Sequence, residues 1–213
     1  ILVSGVAGAG KSSLAASFLH AAAGRGERAI YFSFEEAERQ IIRNMRSIGL
    51  DLTPYLEQGL IRFISARPTF YSLEMHLAIM LREVQKFRPQ VVVLDPISAF
   101  MESGDPLEVQ SMLLRVVDFL KSSGITGVFT HLMHTQSGDY ATDVGLSSLM
   151  DGWVLMLNRE VSGEFNRELY LLKARGTAHS NQVREFVMND QGIQLLPPYL
   201  GEGGAVTGSA RRA

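Results

Sequence analysis

"ILVSGVAGAGKSS", residues 1–13, decides the fold. Ile1–Ser4 is a short β-rich run. Gly5, Gly10, Lys11 and Ser12 then fill the fixed positions of the pattern G-x-x-x-x-G-K-[ST]. The glycines let the backbone curl so that its N–H groups point at phosphate oxygens. Ala7, Gly8, Ala9 and Ser13 complete the cradle around them. Lys11 reaches the β- and γ-phosphates, and the Ser12 hydroxyl can ligate Mg²⁺. A helical pattern follows at once, so the loop also has the positive end of a helix dipole behind it. A glycine-rich turn could match by chance, but here the strand before and the helix after agree with the pattern.

Outward from this loop, short β-rich runs alternate with helix-length segments. Strands are expected at Ile1–Ser4, Ala29–Phe34, Leu60–Ser65, Val91–Asp95 and Gly127–His131. Helices are expected at Ser12–Ala23, Glu36–Ile48, Ser72–Phe87 and Pro106–Ser122. In Ser72–Phe87 the apolar stripe Leu73, Leu77, Met80, Leu81 and Val84 follows the helical period. The alternation implies an α/β fold with a mostly parallel central sheet flanked by helices. After about residue 152 strand-like runs follow one another with short turns, as antiparallel additions at the C-terminal side. Residues 1–197 thus read as one domain and 198–213, Gly- and Ala-rich with a basic finish, as a flexible tail or linker. The chain opens on a strand without an initiator methionine, and we expect it to be part of a longer protein.

Composition narrows the classes. The chain has 213 residues, 46 % of them hydrophobic, with a net charge of −2 and no cysteine. There is no bulk attraction to nucleic acid or anionic lipid. Disulfides and cysteine-based metal sites are excluded, and a cytoplasmic location is expected. No apolar run approaches the ~20 residues that span a bilayer.

Asp95 ends the apolar strand "VVVLDP", where a carboxylate can reach the same Mg²⁺ as Ser12. Glu35 and Glu36 follow the second strand. One of them could polarise a water or hydroxyl in line with the γ-phosphate; alternatively both are acids favoured at a helix N-terminus. In "YLLKARGTAHS", residues 170–180, Lys173 and Arg175 stand two residues apart on one strand face, as anion ligands or as solvated edge-strand cations. His131 and His134, with Asp139 nearby, do not complete a metal cluster and read as polar contacts near the nucleotide. Trp153 and the methionines read as core filling.

Taken together, the phosphate loop, "FSFEEAERQ", "VVVLD", "GITGVFT", "LSSLMDG" and "KARGTAH…REF" resemble the KaiC family of RecA-fold ATPases, closest to its second, kinase-bearing domain. The resemblance implies a RecA-like P-loop NTPase with ATP and Mg²⁺ as cofactors, and a homo-oligomer, a hexameric ring, with ATP at subunit interfaces. It implies Glu35 as general base assisted by Glu36. It also implies that Lys173 and Arg175 touch ATP held by the adjacent subunit. The family phosphorylates an adjacent Ser–Thr pair, which here is Ser147–Ser148; these serines are either acceptors or caps of a short helix. A timing or signalling switch is implied, with a KaiB-like, response-regulator or histidine-kinase protein partner. Competing readings are a DNA-directed RecA-type motor and a slow nucleotide-gated scaffold. "SAFMESGDPLEVQ" and "LMHTQSGDYATDVG" contain no Lys or Arg, which argues against DNA.

Overall fold

The computed structural model describes residues 1–101, 104–133, 148–161, 164–180 and 182–197. Nine strands form one sheet in the order β3-β2-β4-β5-β1-β6-β7-β8-β9. These are β1 (Leu2–Gly5), β2 (Ala29–Ser33), β3 (Ile61–Ser65), β4 (Val91–Asp95), β5 (Thr126–Leu132), β6 (Gly152–Val161), β7 (Glu164–Ala174), β8 (Arg184–Asn189) and β9 (Gly192–Leu195). All pairings from β3 to β6 are parallel. Antiparallel pairing begins between β6 and β7. β6 therefore extends the parallel core beside β1, one strand further than expected.

The central strands are apolar throughout because helices cover both faces. Successive residues split between the faces: Leu2, Ile30 and Val92 pack on one side, Val3, Tyr31 and Val93 on the other. The first side is sealed by α4 (Leu73–Phe87) and α6 (Pro106–Ser122), through Leu77, Met80, Val84, Leu113 and Val116. The second is sealed by α1 (Lys11–Gly24), whose small residues Ala15, Ala16, Ala22 and Ala23 let it lie close to the strands. Trp153 packs beside the core as expected, and its indole N–H donates to Ser4 Oγ at 2.6 Å.

Helix ends follow local chemistry. Ser72 caps α4 by accepting from the Met75 N–H, and Asp105 caps α6 by accepting from Leu107 and Glu108, with Pro106 in the first turn. α2 (Glu38–Arg46) starts two residues later than the expected Glu36. Its approach is held extended: the Phe34 N–H donates to the Asp95 carbonyl, and Ser33 Oγ donates to the Glu36 carbonyl at 2.6 Å. Glu35 and Glu36 therefore sit in the loop after β2 rather than in a helix. Two short helices, α3 (Thr53–Glu57) and α5 (Ser98–Met101), lie outside the sequence expectation.

Candidate functional site

The carboxyl ends of β1, β2, β4 and β5 converge on a cleft of 280 Å³. Parallel α/β sheets place ligands at this end. The loop after β1 forms one wall, with Ala7, Gly8, Lys11 and Ser12 facing the space. Two glycines make that loop possible. A Cβ on Gly5 would lie 2.2 Å from the Met156 carbonyl oxygen of β6, and Gly10 caps α1 at φ 95°. Lys11 is the first residue of α1, and its Nζ donates to the Val6 carbonyl at 2.8 Å. Burial holds its pKa below the ordinary lysine range, opposed by Asp95 and Glu35. The ammonium is thus partly desolvated and faces the space where phosphate charge would sit. Gly5, Ala9, Gly10 and Ser13 support the loop without lining the cleft.

Asp95 closes the opposite wall at the end of β4 and is 7 % exposed. One of its oxygens accepts from the Tyr31 hydroxyl and the other from Thr130 Oγ1. Such donors replace the hydration that a carboxylate loses on burial. Ser12 lies near enough to the Tyr31 phenol to ease its ionisation, so Ser12 and Asp95 flank one phenol. Burial, then Asp95, drives the Tyr31 pKa well above its ordinary value, so the phenol keeps its proton. A hydroxyl and a carboxylate brought together at the phosphate loop suit a hard divalent cation such as Mg²⁺.

Glu35 and Glu36 line the same cleft. Glu36 accepts from Asn44 Nδ2 at 3.3 Å. Burial, then the nearby Asp95 charge, raises its pKa, with Asn44 opposing.

The β6–β7 hairpin adds two groups that sequence reasoning missed. Asn158 Nδ2 donates to the Ala7 carbonyl and Arg167 Nε to the Gly8 carbonyl, each at 3.5 Å. Both lie more than 140 residues from the loop they touch. Only the register Asn158↔Arg167 and the pairing of β6 with β1 bring them there. Tyr31, Thr130 and Ser33 were missed for another reason: within apolar strands they look like ordinary core or edge residues.

Lys173 and Arg175 lie elsewhere. Lys173 pairs with Trp153, which pairs with Leu2 at the start of β1. The phosphate loop begins after Gly5, three residues on, or about 10 Å away along the strand at the usual strand rise. Arg175 stands just past β7 in a turn, not on the strand with Lys173. Its Nη2 donates to the Ser148 carbonyl at 2.6 Å, and its Nη1 is 3.8 Å from Asp151 Oδ1. The Lys173 pKa lies below the ordinary lysine range, through desolvation first and then the Arg175 charge. Ser148 is exposed at this end; Ser147, His134 and Asp139 lie outside the described residues. His131 is buried at the end of β5. No metal-binding group of His, Cys, Asp or Glu occurs among the described residues, nor does a helix long and apolar enough to cross a membrane.

The sheet order, the glycine-lined loop and the buried Asp95 define a RecA-like P-loop NTPase domain. The chain matches the family described as "ATPase: KaiC" over residues 1–199. It is 47 % identical to the circadian clock protein KaiC2 of Synechocystis sp. over 99 % of its length and 38 % of that relative. It is 33 % identical to the circadian clock oscillator protein KaiC of Parathermosynechococcus lividus, covering 39 % of that protein. With KaiC of Synechococcus elongatus the figures are 31 % identity and 41 % coverage of that protein. The chain belongs to the KaiC family of ATPases. It spans about two fifths of the length of these relatives.

Proposed function

We propose that this domain binds Mg·ATP and hydrolyses it at sites shared between neighbouring subunits of a ring, a hexamer by family resemblance, and that it transfers phosphate to Ser147 or Ser148 of the adjacent subunit. The observation that carries the proposal is the separation of the two cationic sets. Lys11 stands at the carboxyl end of β1, while Lys173 and Arg175 stand at its amino end. A chain built this way cannot close Arg175 onto its own cleft, but a neighbour can present it there.

In that arrangement each residue has a distinct task. The loop N–H groups and Lys11 hold the β- and γ-phosphates. Ser12 and Asp95 would hold Mg²⁺, which neutralises charge on the phosphates. Glu35 takes a proton from the attacking oxygen, and Glu36, already inclined to hold a proton, assists it. Arg175 from the next chain stabilises charge on the transferring phosphoryl group. When the attacking oxygen belongs to Ser147 or Ser148, the bond formed is serine Oγ–P and the leaving group is ADP. The phosphate adds about −1.5 to −2 charge at neutral pH beside Asp151, which supports a switch in ring stability or in binding of a protein partner.

The test is to incubate the full-length protein with Mg·ATP and follow phosphate release while mapping phosphosites by mass spectrometry, with Ser147→Ala and Ser148→Ala as controls. Phosphate release with modification of either serine is expected. Turnover without any modification of either serine overturns the self-kinase part and leaves a plain ATPase switch. No turnover by nucleotide-bound rings overturns the catalytic reading and favours the slow scaffold.

A further inference from the structure

The amino-end cluster contains a competition that the proposed function does not use. Asp151 lies among several cations, and two of them, Lys121 and Arg175, address the same oxygen. Lys121, in the last turn of α6, places Nζ 2.8 Å from Asp151 Oδ1 and donates also to the Leu149 carbonyl at 3.0 Å. Arg175 Nη1 stands 3.8 Å from that Oδ1, at the limit of an ion pair, while its Nη2 donates to the Ser148 carbonyl. Lys121 thus holds the short contact and Arg175 the long one. A carboxylate deprived of its nearer cation will draw in the farther one. Arg175 is well suited to respond, because a guanidinium and a carboxylate close readily into a bidentate pair. Its backbone is already tied to Asp151, since the Arg175 N–H donates to the Asp151 carbonyl at 2.7 Å.

We propose that Lys121 is a positioning residue for Arg175: by occupying the Asp151 carboxylate it keeps the guanidinium available to a neighbouring subunit's ATP. The proposal rests on the reading of Arg175 as a residue that acts across a subunit boundary. The same two contacts from Lys121, to Leu149 and Asp151, pin the segment directly after Ser148, so the acceptor serine and the arginine share one support. The Asp151 side chain is 56 % exposed and that of Lys121 42 %. A competition among such exposed charges is modest and screened by salt.

This makes a sign prediction that ordinary structural support does not. Lys121→Met keeps the stem and removes the charge. Asp151, released, should capture Arg175, and ATP turnover should fall by about three- to fivefold in kcat with little change in KM. Asp151→Asn removes the competitor and should leave turnover at or above the parent. The double variant Lys121→Met with Asp151→Asn should regain parental turnover, as should Lys121→Arg alone. The deficit of Lys121→Met should also shrink as salt rises from about 0.05 M to about 0.5 M, where the Debye length becomes short. The measurement uses the full-length protein with Arg175→Ala in parallel and ring assembly checked for every variant. If Asp151→Asn is as damaging as Lys121→Met and the double variant is no better, the pair is mere support and the proposal fails. Parental turnover of Lys121→Met also overturns it. If Arg175→Ala itself turns over ATP normally, the underlying reading of Arg175 fails, and the proposal falls with it for that separate reason.

Discussion

The two aspartates, Asp95 and Asp151, stand for two ways of surrounding a carboxylate. Asp95 is 7 % exposed, accepts from two hydroxyls and sits in a wall assembled from four parallel strands. Asp151 has a side chain 56 % exposed, and its partners are the ends of long flexible cations. The first arrangement is preorganised: its geometry persists because leaving a buried donor or charge unpaired is costly. The second is adjustable, because exposed ion pairs are weak and their side chains retain freedom. In the proposed arrangement, the pocket that holds a nucleotide in fixed geometry is built at the rigid end, and the hand that meets another chain is built at the soft end.

This contrast can be broken most sharply at Arg175. Its replacement by Ala should leave the fold and ATP affinity in place and lower turnover by about 10³–10⁵. Steady-state turnover and equilibrium nucleotide binding on assembled rings check this; a large loss of binding instead would place Arg175 in ground-state recognition. At the rigid end, Glu35→Gln keeps the shape and removes the charge. Turnover should fall by about 10²–10⁴ with ATP still bound. If Glu36→Gln gives the large loss and Glu35→Gln a small one, the roles of the two carboxylates are reversed.

Smaller effects test the preorganisation itself. Thr130→Val removes one donor to a buried carboxylate and should lower stability by about 1–3 kcal/mol, read by denaturant unfolding. Asp151→Asn at the exposed end should change stability by less than about 0.5 kcal/mol. Equal losses at the two positions would erase the distinction. Glu36 gives a pH signature. Its folded pKa is raised, so the native state binds the proton more tightly than the unfolded chain. Stability attributable to Glu36 should therefore fall as pH rises from its ordinary value through the raised one, and Glu36→Gln should remove that slope. An unchanged slope in unfolding curves taken across this range would show that Asp95 and burial do not act on Glu36 as described.

Sequence was informative where function requires a local pattern. The loop at Gly5–Ser12, Asp95 at a strand end, and the helices α4 and α6 are each specified within a few residues. Contacts across the sheet were not legible. Tyr31 and Thr130 look like strand residues until β2, β4 and β5 are aligned and their hydroxyls meet Asp95. Arg167 and Asn158 look like hairpin surface until β6 pairs with β1 and carries them to the phosphate loop. The start of α2 was misplaced because acids after a strand favour a helix start, whereas here the chain is held extended by Ser33 and by the Asp95 carbonyl. The pair Lys173–Arg175 was visible as charge, but its place at the far end of β1 is a property of the register, not of the motif.

The central claim is that one ATP site is completed by two chains. The most direct measurement mixes Lys11→Ala subunits with Arg175→Ala subunits of the full-length protein and follows ATP turnover across mixing ratios, with mixed rings verified by native mass spectrometry. Each variant should be inactive alone, since one lacks the phosphate-binding cation and the other the cation presented to its neighbour. Mixed rings place an intact Arg175 against an intact Lys11 at some boundaries, so activity should reappear and peak near equal proportions. Rings shown to be mixed that remain inactive at every ratio would contradict the claim and return Arg175 to a role within its own chain.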